Sequence, residues 1–204
     1  LTTGPFDLPK PENKDRVDNA LGNLVADAYH WASTTLVKDA PEGETVAVVA
    51  DGVLRASLFQ GSVTTSQAFD VLSMGVGEDG KSGYPLVSCY LTGKELKAVM
   101  EVDASVSPIM TGTQLYMSGV QYSFNTHRLI FNRVTDAQLE EPAYAVNFGS
   151  QGLSKLENDK LYRVVSGMYS AQMLGTVKEK SFGILSIVPK DENGEPITDF
   201  STRV

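Results

Sequence analysis

In VVADGVLRASLFQG (48–61), a single arginine stands where a buried apolar run breaks. The run stops at Asp51-Gly52, resumes with Val53 and Leu54, and reaches Arg55 before any further polar residue. A guanidinium offers a planar fork of donors that fits phosphate or carboxylate, and this charge-assisted geometry has no neutral equivalent. Two arrangements satisfy these residues. The chain bends at Gly52 and holds Arg55 at a strand edge facing an anion, or a β-turn is followed by a solvated arginine.

Other chemistries find little material. The histidines are His30 and His127 alone, with no H-x-x-x-H or D-x-H spacing, and Cys89 is the one cysteine. A two-metal hydrolytic centre needs a dense set of His, Asp and Asn ligands, and a cysteine zinc site or an intrachain disulfide needs more than one thiol. There is no G-x-G-x-x-G after a strand and no G-x-x-x-x-G-K-[ST], so Rossmann and P-loop nucleotide binding are unsupported. A G-x-S-x-G elbow is also missing.

The formal net charge of −8 argues against nucleic acid as a partner, because that binding rests on many Lys and Arg contacts to phosphate. A few local arginines still suffice for one small phosphate. With 204 residues, 42% of them hydrophobic and 21% charged, the composition is that of a folded globular chain with an ample core. No apolar run approaches the ~20 residues of a membrane helix. The Pro-rich start LTTGPFDLPKPENKDR has no signal-peptide pattern; residues 1–15 read as a linker from an upstream domain, with the domain proper over 16–204.

The elements that must position Arg55 follow from patterning. DNALGNLVADAYHWASTTLV carries Leu21, Leu24, Val25, Ala28, Tyr29, Ala32 and Leu36 at helical spacing, with Asp18 or Asn19 available as cap. TVAVVA (45–50) is a buried strand by its β-branched content. A residue from Thr64 to Ser66 caps a short helix over VTTSQAFDVL. LVSCYL is a strand, and Thr92 caps a helix with Leu96, Val99 and Met100 inward. LYMSGVQYSFN and HRLIFNRVTD alternate with period two and read as a hairpin closed by an Asn-Thr turn. KLYRVVSGMYSAQML starts as a strand and runs into a helix, and SFGILSIVPKDENGEPITD reads as a last short strand and turn. Mixed strands and helices without strict βαβ alternation predict an α+β fold, a mixed α/β sandwich. Trp31 reads as core or interdomain packing, His127 as a solvated turn residue and Asp27 as a local structural hydrogen bond.

In this order, LGNLVADAY (21–29), VVADGVLR (48–55), GSVTTSQAFDVLSMG (61–75), LTGKELKAVME (91–101), LYMSGVQYSFN (115–125) and YRVVSGMYSAQM (162–173) resemble the C-terminal domain of the 5'-nucleotidase and UDP-sugar hydrolase family. The resemblance covers roughly residues 16 to 185. It implies a substrate-specificity domain that works with an N-terminal metallophosphoesterase domain. That domain carries two divalent metal ions, so no cofactor and no catalytic residue is expected in this chain. It also implies a nucleotide or other small phosphoester as substrate and a periplasmic, secreted or cell-surface location.

Matched to the family's Asn-Gly-Gly-Gly-Ile-Arg turn, Ala50-Asp51-Gly52-Val53-Leu54-Arg55 keeps one glycine and the anion-holding arginine; Ala50 replaces the asparagine. Arg16 is the nearest match to a second family arginine, one residue out of register. The family's base-stacking pair falls on Met74, in Ser73-Met74-Gly75, and on Tyr169. Tyr84, at the end of a longer loop, is a substitute ring or a cover. The Gly-Gly-Asp-Gly stretch is replaced by Met173-Leu174-Gly175-Thr176. These departures leave a second expectation in view, a noncatalytic binding module with a degenerate nucleoside pocket.

Overall fold

The computed structural model describes residues 6, 19–38, 40, 43–77, 80–110, 112–142, 154–174, 177, 181 and 183–197. Helix α1 (Ala20–Trp31) begins where Asn19 accepts a hydrogen bond from the Gly22 amide at 3.0 Å, and it continues as a π-helical turn, Ala32–Leu36. Strand β1 (Thr45–Ala50) leads into a 3-10 turn, Asp51–Val53, and then to α2 (Thr65–Val71). Strand β2 (Leu86–Thr92) runs directly into α3 (Gly93–Val106). Both α2 and α3 open with reciprocal capping boxes, Thr64 with Gln67 and Thr92 with Glu95, which satisfy amide donors that a helix start leaves unpaired. Strands β3 (Leu115–Ser118), β4 (Val120–Phe124), β5 (Val134–Leu139), β6 (Ser154–Lys155) and β7 (Leu161–Gly167) follow, with α4 (Met168–Leu174) after β7.

Two sheets result. One has the order β2-β7-β1-β3, with β1 and β7 parallel and the other pairs antiparallel; the second is the antiparallel set β4-β5-β6. Strand β1 is central and covered on both faces, so its sequence is a continuous apolar run rather than an alternating one. Val46 and Val48 join α3 residues Leu96, Val99 and Met100 in a core that also takes Val120, Ala137 and Leu139 from the second sheet. On the opposite face Val49 and Tyr116 pack with Leu21, Val25 and Ala26 of α1. The architecture is thus an α+β sandwich, with α3 held between the two sheets and α1 outside.

Polar groups of α3 fix this arrangement. Asp103, fully buried, accepts from the Leu115 amide at 2.9 Å on one sheet and from the Tyr122 hydroxyl on the other. Glu101, also buried, accepts from the amides of Arg133 at 2.8 Å and Val134 at 2.7 Å, which sets the start of β5. Gly119 lies between β3 and β4 with φ +88°, and a Cβ there would stand 2.4 Å from the Thr45 carbonyl oxygen. Only glycine permits that backbone at that distance, and the chain uses it to pass from one sheet to the other.

Several expectations are corrected. The long β-hairpin does not form as read: β3 and β4 belong to different sheets, β4 pairs with β5, and residues 125–133 form a loop tied to α3 by the Phe131 amide donating to Ser105 Oγ at 2.8 Å. The tail contributes single bridges, Tyr90 with Lys190 and Lys190 with Pro196, in place of a strand among the described residues. Trp31 is 43% exposed, which removes it from the core and leaves interdomain packing as its reading, and Leu24 is 41% exposed; the buried face of α1 runs through Leu21, Gly22, Val25, Ala26 and His30. Phe6, within the expected linker, exchanges backbone hydrogen bonds with Leu58 at 2.8 and 2.9 Å. Residues 1–5 and 7–18 lie outside the described residues.

Two measurements probe this core. Asp103→Ala leaves the Leu115 amide and the Tyr122 hydroxyl without this acceptor, and urea unfolding should show a loss of about 2–6 kcal/mol, at about 1–3 for each orphaned group. Burial pushes the Cys89 thiol up from 9.0 to about 12, with the Glu95 charge adding to the effect. A proton held more tightly in the folded state stabilises it fully below the unfolded pKa, and that stability is lost as pH rises through the folded one. Cys89→Ala should therefore flatten the fall in unfolding free energy between about pH 9 and 12.

Candidate functional site

The turn carrying Arg55 is pinned on two sides. The Asp51 amide donates to the Gln114 carbonyl at 2.8 Å and the Gly52 amide to the Gly112 carbonyl at 3.0 Å. The Leu54 amide closes the 3-10 turn on the Asp51 carbonyl at 3.0 Å, and the Arg55 amide reaches the Val71 carbonyl at the end of α2 at 2.8 Å. Val53 and Leu54 are buried beneath it, while Arg55 is exposed. Asp51 turns inward: its carboxylate accepts from the Tyr116 hydroxyl at 2.9 Å. Burial raises its pKa, and the Tyr116 hydrogen bond opposes that rise. Asp51 therefore fastens the turn to β3.

Next to this turn lies a cavity of about 100 Å³ lined by residues that include Val53, Met74, Tyr84, Tyr169 and Ser170. Its walls come from five separate stretches: α1, the 3-10 turn, the end of α2, the loop into β2, and the junction of β7 with α4. Three residues singled out in the sequence, Met74, Tyr84 and Tyr169, are brought together here. The Tyr84 and Tyr169 rings stack with centroids 5.8 Å apart at 29°. Tyr169 is 40% exposed, so it keeps contact with solvent. Arg55 does not line the cavity, although Val53, two residues before it, does. Arg16 lies outside the described residues.

Sequence reasoning missed Tyr29. It reaches this cavity from α1, its hydroxyl oxygen would be 3.5 Å from a Cβ built on Gly167, and burial raises its pKa to about 12. Its hydroxyl makes no hydrogen bond among the described residues. The signal was its helical spacing, which marks it as core and says nothing of the polar tip.

A larger groove of about 630 Å³ runs along β3 and β4, lined by residues that include Asp27, Tyr116, Tyr122, Glu140 and Glu141. Asp27 accepts from the Ser118 hydroxyl at 2.6 Å, the structural role expected for it. Among the described residues the groove has three carboxylates and no lysine or arginine in its lining. Its charge opposes a phosphate, so size alone does not make it the anion site. His127 is exposed in the 125–133 loop. Among the described residues no three His, Cys, Asp or Glu side chains are grouped to hold a metal ion. No helix among them is long and apolar enough to cross a membrane.

Comparison with known proteins agrees with the architecture. The solved 5'-nucleotidase precursor of Thermus thermophilus superimposes with a TM-score of 0.63 at 23% identity, over 95% of this chain and 33% of that one. The NAD nucleotidase of Haemophilus influenzae gives 0.63 at 17% identity, over 89% of this chain and 29% of that one. In sequence, the trifunctional nucleotide phosphoesterase protein YfkN of Bacillus subtilis (strain 168) is 26% identical over 122 residues, which is 60% of this chain and 8% of that protein. The chain thus spans about a third or less of each of these relatives. The family model for the 5'-nucleotidase C-terminal domain matches residues 3–177, and the chain belongs to that family.

Proposed function

We propose that this chain is the substrate-binding domain of a 5'-nucleotidase-like phosphohydrolase that acts on nucleotides or related phosphoesters. The observation that carries this reading is the gathering of Met74, Tyr84 and Tyr169 around one cavity whose lining also includes Val53 of the Arg55 turn. Tyr169 offers a ring face to the organic end of a ligand, a contact worth about 1–3 kcal/mol per stacked base. Arg55, its amide held by the Val71 carbonyl and its side chain open to solvent, meets the anionic end. Gly52 lets the chain approach Gly112, and Asp51 holds the turn in place.

The chemistry belongs to a metallophosphoesterase domain outside this chain. Two divalent ions there would activate water and stabilise the departing oxygen, while the residues of this chain select and hold what is cleaved. An extracytoplasmic location accompanies this reading. A noncatalytic binding module is the second reading, and the contact of Tyr84 with Tyr169, which fills the ring slot, favours it. Metal-binding D-x-H and G-N-H-[DE] segments in the flanking coding sequence support the enzyme, and a flank without them supports the module.

The anion-holding role is tested by thermal shift with adenosine monophosphate and adenosine, since a ligand of the folded state raises the melting point by mass action. Arg55→Ala should weaken the monophosphate by up to about fivefold, as expected for losing a solvent-exposed charge pair of about 0.2–1 kcal/mol, and leave adenosine unchanged. Equal losses for both ligands, or none for either, would remove Arg55 from the site.

A further inference from the structure

The cavity beside Tyr169 is already partly filled by the protein itself. Rings in direct contact have centroids about 4.5–7 Å apart, and the Tyr84 and Tyr169 rings, at 5.8 Å and 29°, fall inside that range. No third ring fits between them. The seat of Tyr84 is shaped for it: a Cβ on Gly75, whose φ is +84°, would lie 2.6 Å from the Tyr84 ring. The Gly83 amide donates to the Gly75 carbonyl at 2.9 Å, and the Met168 amide to the Pro85 carbonyl at 3.0 Å. The residues flanking Tyr84 are therefore tied to Gly75 on one side and to the start of α4 on the other.

The loop that delivers Tyr84 has a weaker hold. Val76 is 65% exposed, the bridge between Val76 and Ser82 is isolated, and Gly77, Gly80 and Gly83 punctuate the segment. Burial of the loop itself therefore adds little to the contacts that hold the ring on Gly75 and Tyr169. Below the ring pair, about 100 Å³ of space remains, and the Tyr29 hydroxyl borders it without a hydrogen bond among the described residues. A ligand ring that took the place of Tyr84 would bring a polar edge to that hydroxyl.

We propose that Tyr84 is an intrachain occupant of the stacking place on Tyr169, so that a flat ligand ring binds by displacing it from its seat on Gly75. The inference rests on the reading of Tyr169 as the ligand's stacking platform. Occupation by Tyr84 is a property of the free protein. It therefore lowers the affinity of every ring ligand by one common factor, the inverse of the fraction in which the place is open. A ring wall behaves in the opposite way: its removal weakens binding, and most for the largest ring.

Titration calorimetry of the 204-residue chain with adenosine and with uridine separates these cases. Tyr84→Ala should bind both nucleosides about three- to tenfold tighter, the factor for breaking one ring pair, and by the same factor for each. Tyr84→Leu should behave likewise if the alanine variant folds poorly, and Tyr84→Phe, which keeps the ring, should match the wild type. Unchanged or weaker binding in Tyr84→Ala, or gains that differ between the two nucleosides, would overturn the proposal. Tyr169→Ala reports on the underlying reading: if it leaves adenosine binding intact, the platform itself is misassigned. If neither the wild type nor Tyr84→Ala binds adenosine, both readings fall.

Discussion

A single buried carboxylate holds the two halves of this fold together. Asp103 projects from α3 and accepts hydrogen bonds from the backbone of β3 and from the Tyr122 hydroxyl on β4, strands that belong to different sheets. A carboxyl group in that position is costly unless its acceptor sites are used, and using them ties both sheets to one helix. Glu101, earlier on α3, does the same for the start of β5. The turn at the candidate site is linked to this clamp. The Asp51 turn is hydrogen-bonded to the segment just before β3, which in turn is held by Asp103.

The two cavities differ more in electrostatics than in shape. The groove along β3 and β4 is large but carries Asp27, Glu140 and Glu141, in a chain of net charge −8. A phosphate entering it would meet charges of its own sign. The smaller cavity has aromatic, sulfur and aliphatic walls and no carboxylate among the described residues of its lining, which suits the uncharged end of a nucleotide-like molecule. Arg55 stands two residues from that lining, outside it. In the proposed reading, charge and ring recognition are thus carried by neighbouring but separate surfaces.

What the sequence made legible was local. Thr64 and Thr92 announced their helices because a capping box is complete within four residues. The strand 45–50 was evident from its unbroken β-branched run. The failures were nonlocal. Residues 127–132 carry Leu129 and Ile130, which imitate a strand, yet these side chains are 80% and 49% exposed. The segment is a loop because Ser105 and Glu101, far away in sequence, take its amides. The period-two pattern across 115–124 is continuous and gave no sign that Gly119 passes the chain between sheets. For the site, the gathering of Met74, Tyr84 and Tyr169 was suggested by family resemblance alone. Their spacing has no periodicity that links a loop to a distant strand end.

The exposure of Arg55 bears on how such a domain can hold a ligand at all. An exposed guanidinium is well hydrated, and its pairing with an anion in water contributes only about 0–1 kcal/mol. Its full value, about 1.5–3 kcal/mol for a charged hydrogen bond, is reached only where water is excluded. Among the described residues nothing covers Arg55, whereas Tyr169 already rests on packed structure. In the proposed reading, the ring contact therefore supplies the first affinity, and the arginine becomes strong when a second surface closes over it. A specificity domain built this way grips weakly by itself and tightly against its partner, so that a substrate is held firmly only where it can also be cleaved.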